Sequence, residues 1–162
     1  TNTISIVIPA KNEGQSLSKL LPTLKRYFPE TEILVVNDGS EDDTLQIAHN
    51  HGIRVISHPY SKGNGAAIKT GARAASGQVI VFMDADGQHD PASISRLLEK
   101  MAEGHDLVVG ARQKGSQAST GRGVANGLYN RLASWMTGHK VEDLTSGFRA
   151  VRADKFREFL YL

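Results

Sequence analysis

Five short runs of apolar, largely β-branched residues recur along the chain and constrain its fold more than any other feature. They cover residues 4–8, 32–36, 53–56, 79–82 and 107–109. Most of these runs lack the polar–apolar alternation of a half-exposed sheet, which is typical of parallel strands covered on both faces. We therefore predict that they form the strands of a parallel sheet.

Helical patterns fill the intervals between these runs. Apolar residues spaced for one helix face occur twice, at Leu17, Leu20, Leu21 and Leu24 and at Ile94, Leu97, Leu98 and Met101. The order βαβαβαβαβ predicts an α/β fold with a doubly wound, mostly parallel sheet and helices on both faces. In such sheets ligands bind beyond the carboxyl ends of the strands, so functional residues are expected directly after each strand.

Local signals mark the expected helix boundaries. Ser40 with Asp43 resembles a capping box, with Ser40 or Asp42 alone as the alternative cap of the same helix. Pro91 suits a first helical turn. Gly52 and Gly77 stand where helices are expected to stop.

The composition is that of one globular domain. Of 162 residues, 40% are hydrophobic and 22% are charged, so we expect residues 1–162 to form a single domain. The chain does not begin with Met, and its last helix, from about Asp154, is expected to be cut short, which indicates a piece of a longer protein. The absence of cysteine excludes disulfides, thiolate nucleophiles and cysteine-ligated zinc. No stretch approaches the roughly 18 apolar residues of a membrane span, and the cytoplasm is the expected compartment.

Charge is distributed unevenly along the chain. Residues 1–110 carry 10 Lys and Arg against 13 Asp and Glu, a balance of −3, whereas residues 111–162 carry 9 against 4, a balance of +5. The basic final third suits a phosphate or an anionic membrane surface. A solvated basic face without a ligand is the alternative.

The strongest chemical signal follows the fourth strand. Asp84 and Asp86 are separated by one residue on an expected turn. Carboxylates this close repel one another, and a divalent cation relieves the repulsion while bridging to the oxygens of a diphosphate. Gln88 would add a neutral oxygen ligand, whereas for His89 we favour a solvent-facing loop position over a metal ligand. A calcium-binding EF-hand loop fits poorly, because Gly87 comes earlier in this motif than the glycine of an EF-hand loop does. A strand also precedes the motif, where an EF-hand has a helix.

Acidic residues also follow the first and second strands. Glu13 comes after Pro9, which is expected to end the first strand, and Asp38 lies in a turn beside Gly39. Glu13 would hold a ribose hydroxyl, or would favour the start of a helix through the helix dipole. Asp38 would accept from a base or ribose donor, or would stabilise its own turn. The residues alone leave both alternatives open.

Glycine and alanine dominate the segment that begins with Lys62-Gly-Asn-Gly-Ala-Ala67. Its spacing excludes a Walker A loop. The segment predicts a helix whose N-terminus suits an anion or nucleotide, with close packing of helix on sheet as an equal alternative.

Three arginines stand out in the basic final third. Arg112 ends the fifth strand in Gly110-Ala-Arg, Arg122 opens a helical stretch, and Arg149 is expected in a later turn after Ser146-Gly-Phe. Arginine binds phosphate through two parallel hydrogen bonds, although any one of these residues would more often be a surface arginine.

Taken together, five motifs resemble family 2 glycosyltransferases of the GT-A type, closest in pattern to dolichol-phosphate mannose synthases and bacterial polyprenyl-phosphate glycosyltransferases. The motifs are Pro9-Ala-x-Asn-Glu13, Asn37-Asp38-Gly-Ser40, Asp84-Ala-Asp86-x-Gln88, Gly110-Ala-Arg112 and Ser146-Gly-Phe-Arg149. The resemblance covers nearly the whole chain.

The resemblance implies a metal-dependent, inverting hexosyltransferase. It implies a GDP- or UDP-sugar as donor, Mg²⁺ or Mn²⁺ on the leaving diphosphate, and a polyprenyl (dolichyl or undecaprenyl) phosphate as acceptor at the cytoplasmic face of a membrane. No nucleic-acid partner is expected.

The family's site residues map onto matching positions of this sequence. The nucleotide-sugar positions are Pro9, Lys11, Glu13, Val36, Asp38, Asp84, Ala85 and Asp86, and the metal positions are Asp84, Asp86 and Gln88. The resemblance places Arg112 on a phosphate, and residues 146–149 near the acceptor.

The type of acceptor decides which residues are catalytic. A lipid phosphate needs only positioning and charge screening, for which Arg112, Arg122 and Arg149 are the candidates. A sugar hydroxyl would need a general base, and Asp143 is the best candidate for it, with ordering of the following turn as its alternative role.

Two positions depart from the family pattern and leave the preferred base open. Lys11 stands where the synthases often have an aromatic residue, and Asn37 where many relatives have a second aspartate. A transferase acting on a saccharide hydroxyl, a nucleotidyl transferase and a non-catalytic nucleotide-binding domain remain the alternative functions.

Overall fold

The structure is a computed structural model that describes residues 2–87, 89–110, 131 and 148–161. The strands in this part of the chain are β1 (Ile4–Ala10), β2 (Glu32–Asn37), β3 (Arg54–Ser57), β4 (Val79–Phe82), β5 (Leu107–Val109) and β6 (Arg149–Arg152). The helices are α1 (Gly14–Tyr27), α2 (Thr44–Asn50), α3 (Asn64–Ala74), α4 (Ile94–Ala102) and α5 (Ala153–Leu160), and a 3₁₀ turn at Pro91–Ser93 precedes α4.

The six described strands form one sheet in the order β3-β2-β1-β4-β6-β5. Strands β1 to β4 are mutually parallel where they pair, so their carboxyl ends share one edge, which we call the C-terminal edge. The chain winds from β1 to β3 on one side and returns to β4 on the other. The topological switch point therefore lies between β1 and β4, where doubly wound sheets bind ligands.

The strand β6 is the main departure from the predicted topology. It pairs antiparallel with both β4 and β5 and separates them. The expectation of a turn at Arg149 is therefore wrong, because this residue begins β6 and pairs with Phe82 and Val109. The remaining predicted strands are confirmed to within two residues at each end.

Helices cover both faces of the sheet, as predicted. Leucines of α1 and apolar residues of α4 pack on one face, against strand residues such as Ile6 and Val81. Helices α3 and α5 pack on the other face, against neighbours such as Val7 and Ile80. Because adjacent strand residues enter opposite cores, consecutive positions of the runs are mostly apolar.

Gly52 ends α2 with a positive φ of 69°, and Pro91 occupies a first helical turn, as predicted. Gly77 has a different role from the predicted helix stop. A Cβ atom there would lie 2.7 Å from the backbone nitrogen of Ser5, so this glycine allows close contact with β1.

Pro9 lies inside β1 rather than ending it. Met83 donates to the carbonyl of Val7, which means that Val7 and Pro9 both face β4. The β1–β4 pairing ends at Val7 and Phe82, so the missing N–H of Pro9 removes no bond from the sheet.

Within the described ranges, no helix combines the length and the apolar character that a membrane span requires.

Candidate active site

The acidic residues singled out in the sequence meet at the C-terminal edge. Glu13 follows β1, Asp38 follows β2, and Asp84 and Asp86 follow β4. Because β1 lies between β2 and β4, these carboxylates flank the switch point from both sides. The acidic residues that follow β1, β2 and β4 in the sequence are thus brought to the same edge of the sheet.

The loop after β4 holds Asp84 and Asp86 at an intermediate level of exposure, while the Ala85 side chain between them is buried. Nε2 of His89 lies 3.4 Å from Oδ2 of Asp84. The His89 ring stacks on Phe148, with 5.0 Å between ring centroids. The solvent-facing position favoured for His89 is therefore wrong, because its ring joins the Asp84 loop to the residue before β6.

The pKa of the Glu13 carboxyl is raised by its surroundings at this edge. Partial burial and the charge of Asp86 raise the pKa of its carboxyl, Asp42 and Asp84 add to the effect, and a hydrogen bond with Ser16 opposes it. The clustered carboxylates thus disfavour a further negative charge, which a bound cation would relieve.

The residues present fit a divalent cation shared with a ligand rather than one enclosed by protein. Among the described residues, no group of three or more His, Cys, Asp or Glu side chains converges to hold a metal. Asp84 and Asp86 supply two hard oxygen donors, and diphosphate oxygens and water commonly complete such a coordination sphere. Gln88, the predicted third protein ligand, lies outside the described residues.

The loops after β1 and β2 are joined by hydrogen bonds. The Asn12 backbone donates to Ser40 Oγ, and Asn12 Oδ1 accepts from the amides of Glu41 and Asp42. Asn12 adopts a left-handed φ of 55°, which asparagine tolerates well. The Asn12 side chain therefore orders two loops of the edge.

Asp42, the alternative cap of this helix, anchors the start of α2, whereas the Ser40 and Asp43 pair does not. Its carboxylate accepts from the amide of Thr44 at 3.0 Å and from the amide of Gly14, the first residue of α1, at 3.1 Å. The capping-box prediction is wrong because the Ser40 hydroxyl is turned toward Asn12 instead.

The Asp38 carboxylate has four donors from the protein. His58 Nδ1 and the amide of Lys62 lie 2.8 Å from Oδ1. Ser61 Oγ, at 3.0 Å, and the amide of Gly63, at 2.9 Å, contact Oδ2. Burial alone would raise the Asp38 pKa, but the hydrogen bonds from His58, Lys62, Gly63 and Ser61 outweigh it and hold the pKa below its usual value.

The N-terminus of α3 thus already faces an anion, and that anion is Asp38. Lys62 and Gly63, which precede the helix, direct their amides at its carboxylate. The glycine- and alanine-rich composition of α3 also serves packing, since a Cβ at Gly71 would lie 2.3 Å from Val7 Cγ1. The packing alternative is confirmed for Gly71.

Besides Asp38, three of the predicted nucleotide-sugar residues are buried. The side chains of Pro9, Val36 and Ala85 lie in the interior, and Val36 and Ala85 are at most 2% exposed. A ligand at this edge would therefore meet their backbone. Lys11, in contrast, is exposed.

Arg149 is buried to 1% exposure at the start of β6. Its register with Phe82 places it at the C-terminal edge, beside the strand that leads to Asp84. The other candidates for catalysis, Arg112, Arg122 and Asp143, lie outside the described residues.

A polar groove of about 390 Å³ opens beside the Asp84–Asp86 loop. Gln15, Ser16 and Lys19 of α1 form one wall, and Asp86, His89 and Pro91 form the other. The groove brings a lysine and several neutral polar groups close to the carboxylates.

Sequence reasoning missed His58 and Ser61, which hold Asp38. His58 is the first residue after β3 and is 9% exposed. Its position directly after a strand, the criterion that identified the carboxylates, was the signal that could have found it. Ser61 carried no comparable signal.

Comparison with known proteins agrees with this geometry. The family described as glycosyl transferase family 2 matches residues 5–160. The chain is 36% identical to the undecaprenyl-phosphate mannosyltransferase of Micrococcus luteus, across 93% of this chain and 67% of that protein. It is 35% identical to the undecaprenyl-phosphate 4-deoxy-4-formamido-L-arabinose transferase of Proteus mirabilis, across 93% of this chain and 49% of that protein.

A solved structure shares the fold. Glucosyl-3-phosphoglycerate synthase from Mycobacterium tuberculosis, in complex with Mn²⁺, UDP and glucosyl-3-phosphoglycerate, is 28% identical with a TM-score of 0.66, and covers 94% of this chain and 57% of its own. The predicted GT-A type of α/β fold is confirmed. The chain spans about half to two thirds of the length of these proteins. With the family match extending over almost every described residue, the chain belongs to glycosyl transferase family 2.

Proposed function

We propose that the protein transfers a sugar, with inversion, from a nucleoside diphosphate sugar to a polyprenyl phosphate at the cytoplasmic face of a membrane. The observation that carries the proposal is the convergence of Glu13, Asp38, Asp84 and Asp86 on the switch point of a doubly wound sheet. The relatives from Micrococcus luteus and Proteus mirabilis, which act on undecaprenyl phosphate, support the acceptor class.

The proposed donor lies across the switch point. Its nucleoside end is next to Glu13 and Asp38, and its diphosphate is next to Asp84 and Asp86. Ser61 is exposed, and its hydroxyl is one of the two donors to Asp38 Oδ2. A base or ribose donor would replace this hydroxyl, while His58 and two backbone amides keep the carboxylate in place.

Asp84 and Asp86 would hold a divalent cation, with Gln88 as a further ligand. The cation would supply charge neutralisation at the leaving diphosphate. Burial and, after it, the negative charge of Asp86 raise the pKa of Glu13, and the contribution of Asp86 supports a cation at this position. The Mn²⁺ in the Mycobacterium tuberculosis synthase supports manganese, and magnesium is the alternative.

The acceptor would approach from the side of β6. Its phosphate is already an anion, so it attacks without losing a proton and needs only orientation and screening. Arg149 at the C-terminal edge, with Arg112 and Arg122, would provide them. If the acceptor were a saccharide hydroxyl, Asp143 would take its proton.

A ligand screen on the full-length protein tests the proposal. UDP- and GDP-sugars are added with Mn²⁺, with Mg²⁺ or with a chelator, and the melting temperature is measured, because ligand affinity raises stability directly. Transfer to undecaprenyl phosphate is then measured for each donor that binds. Stabilisation by a nucleotide-sugar only in the presence of metal, followed by lipid-linked product, is the expected result. Binding without transfer would support a non-catalytic domain. Release of pyrophosphate from an added nucleoside triphosphate and sugar phosphate would support nucleotidyl transfer.

A further inference from the structure

His58 connects three separate parts of the C-terminal edge. It is the first residue after β3, its Nδ1 lies 2.8 Å from Asp38 Oδ1 after β2, and its Nε2 lies 2.8 Å from Thr70 Oγ1 on α3. The His58 side chain is 7% exposed and that of Asp38 is 6% exposed. Both ring nitrogens are thus engaged inside the protein.

The chemistry of the partners fixes the direction of one of these bonds. An ionised carboxylate only accepts hydrogen bonds, so Nδ1 carries the proton that faces Asp38. The Thr70 hydroxyl can either donate or accept, so it satisfies Nε2 whichever role that nitrogen has. The His58 ring therefore remains a donor to Asp38 in either protonation state.

Asp38 in turn orders the loop between β3 and α3. Its two oxygens accept from the amides of Lys62 and Gly63, and Gly63 has a left-handed φ of 97°. The same loop touches the turn after β2, since a Cβ at Gly39 would lie 2.5 Å from the amide nitrogen of Ser61. Rotation of the Asp38 carboxylate would therefore release both amides and shift the loop.

We infer that His58 is a positioning residue for donor binding: it fixes the Asp38 carboxylate so that the oxygen facing Ser61 is presented to the nucleoside. This inference rests on the proposed function, because it assumes that the nucleoside lies next to Asp38. It deepens that function by naming a residue that touches no ligand and yet sets the affinity for the donor.

Two substitutions separate the two bonds of the ring. His58→Asn places an amide nitrogen near the position of Nδ1, so it keeps the bond to Asp38 and loses the one to Thr70. His58→Gln reaches the position of Nε2, so it keeps the contact with Thr70 and loses the bond to Asp38. His51→Gln is the matched control, because His51 ends α2 at the opposite edge of the sheet.

The experiment measures UDP and GDP affinity in Mn²⁺ by calorimetry on the full-length protein, with melting temperatures in parallel. For His58→Gln we expect donor affinity to fall about tenfold, as for the loss of one charge-assisted hydrogen bond. For His58→Asn we expect affinity within about threefold of the parent, since the donor to the carboxylate is rescued. His51→Gln should leave affinity unchanged even where it lowers the melting temperature.

Amide hydrogen exchange gives a second readout that needs no ligand. The Lys62 and Gly63 amides should exchange faster in His58→Gln than in His58→Asn, because only the former releases Asp38. Equal affinity in the parent and both His58 variants, or equal loss in both, would overturn the role of His58 and leave the proposed function intact. A parent protein that binds neither nucleotide would overturn the proposed function and, with it, this role.

Discussion

Gly71 and Val7 are packed so closely that a Cβ atom on the glycine would lie 2.3 Å from Cγ1 of the valine. Helix α3 can approach β1 at this distance only because position 71 has no side chain. This contact sets the height of α3 above the sheet, and with it the position of the loop that surrounds Asp38.

Gly71→Ala should therefore destabilise the protein, although alanine favours helices. Overpacking of this kind costs about 1–3 kcal/mol, which exceeds the gain of about 1 kcal/mol in helix propensity. The free energy of unfolding from denaturant titration measures the balance. Arg73→Ala, at an exposed position of the same helix, is the control and should change stability by at most about 0.5–1 kcal/mol. A more stable Gly71→Ala protein would show that α3 can move outward freely.

Asp86→Asn should weaken the metal-dependent binding of a nucleoside diphosphate by about tenfold or more, because it removes a charged oxygen ligand. Calorimetry in Mn²⁺ and in chelator measures the effect. Asp90→Asn is the matched control in the same loop, since the Asp90 side chain accepts from the amide of Ala92 and only starts the 3₁₀ turn. Equal affinity of the parent in Mn²⁺ and in chelator would contradict a metal at this site.

Glu13→Gln should reduce affinity for the nucleotide and leave use of the acceptor unchanged. The expected loss is about tenfold, the effect of replacing a charged acceptor by a neutral one at a ribose hydroxyl. Affinities for UDP and GDP and the KM for polyprenyl phosphate are measured together, with exposed Glu41→Gln as the control. A variant that binds both nucleotides normally but uses the acceptor poorly would assign Glu13 to the acceptor instead.

Asp143→Asn should have only a mild effect on transfer if the acceptor is a lipid phosphate, whereas loss of Arg112 or Arg122 should raise the transfer barrier by about 1.5–3 kcal/mol. Donor affinity should stay nearly constant in all three. Arg149 is unsuitable for this comparison, because its burial between β4 and β5 makes its loss a folding defect as well. A hydroxyl acceptor predicts the reverse, with Asp143→Asn about 10²–10⁴ slower. The assay uses the full-length protein with polyprenyl phosphate and membranes.

Stability should fall on the acid side partly through Asp38. Its pKa is held below the usual value in the folded protein, so the unfolded chain binds the proton more readily. The stabilisation is complete well above the ordinary aspartate pKa of about 3.9 and is lost as the pH falls through the lower folded pKa. Asp38→Asn should lower the free energy of unfolding by about 1–3 kcal/mol at neutral pH. It should also make that free energy depend less steeply on pH in the acid range. The free energy of unfolding is measured for both proteins between neutral and acid pH. A constant difference between them over this range would contradict the contribution of Asp38.

The strands and the acidic residues of the site could be predicted because both are local signals. Apolar runs identify buried parallel strands, and the carboxyl ends of parallel strands share an edge, so residues such as Asp38 and Asp84 were expected to meet. The strand β6 carries no such signal. It reads Arg-Ala-Val-Arg, with a charged residue at each end, and only its partners β4 and β5 make it a strand.

The partners of the site residues were beyond the reach of local reasoning. Asp38 takes its hydrogen bonds from His58, Ser61, Lys62 and Gly63, all on the far side of α2 and β3 in the sequence. Two of the four donors are backbone amides, which leave no trace in residue type. The Asn of the Pro9-Ala-x-Asn-Glu13 motif is a similar case, because its side chain bonds amides of the loop after β2.

The antiparallel strand β6 has a consequence for how the C-terminal edge beside Asp84 is held together. The chain leaves the described sheet at Gly110 and returns at Phe148, where the amide of Gly110 donates to the carbonyl of Phe148 at 2.7 Å. Both anchor points lie at the C-terminal edge, beside the proposed donor site. Because the ring of Phe148 also stacks on His89, the start of β6 ties the end of β5 to the loop that carries Asp84.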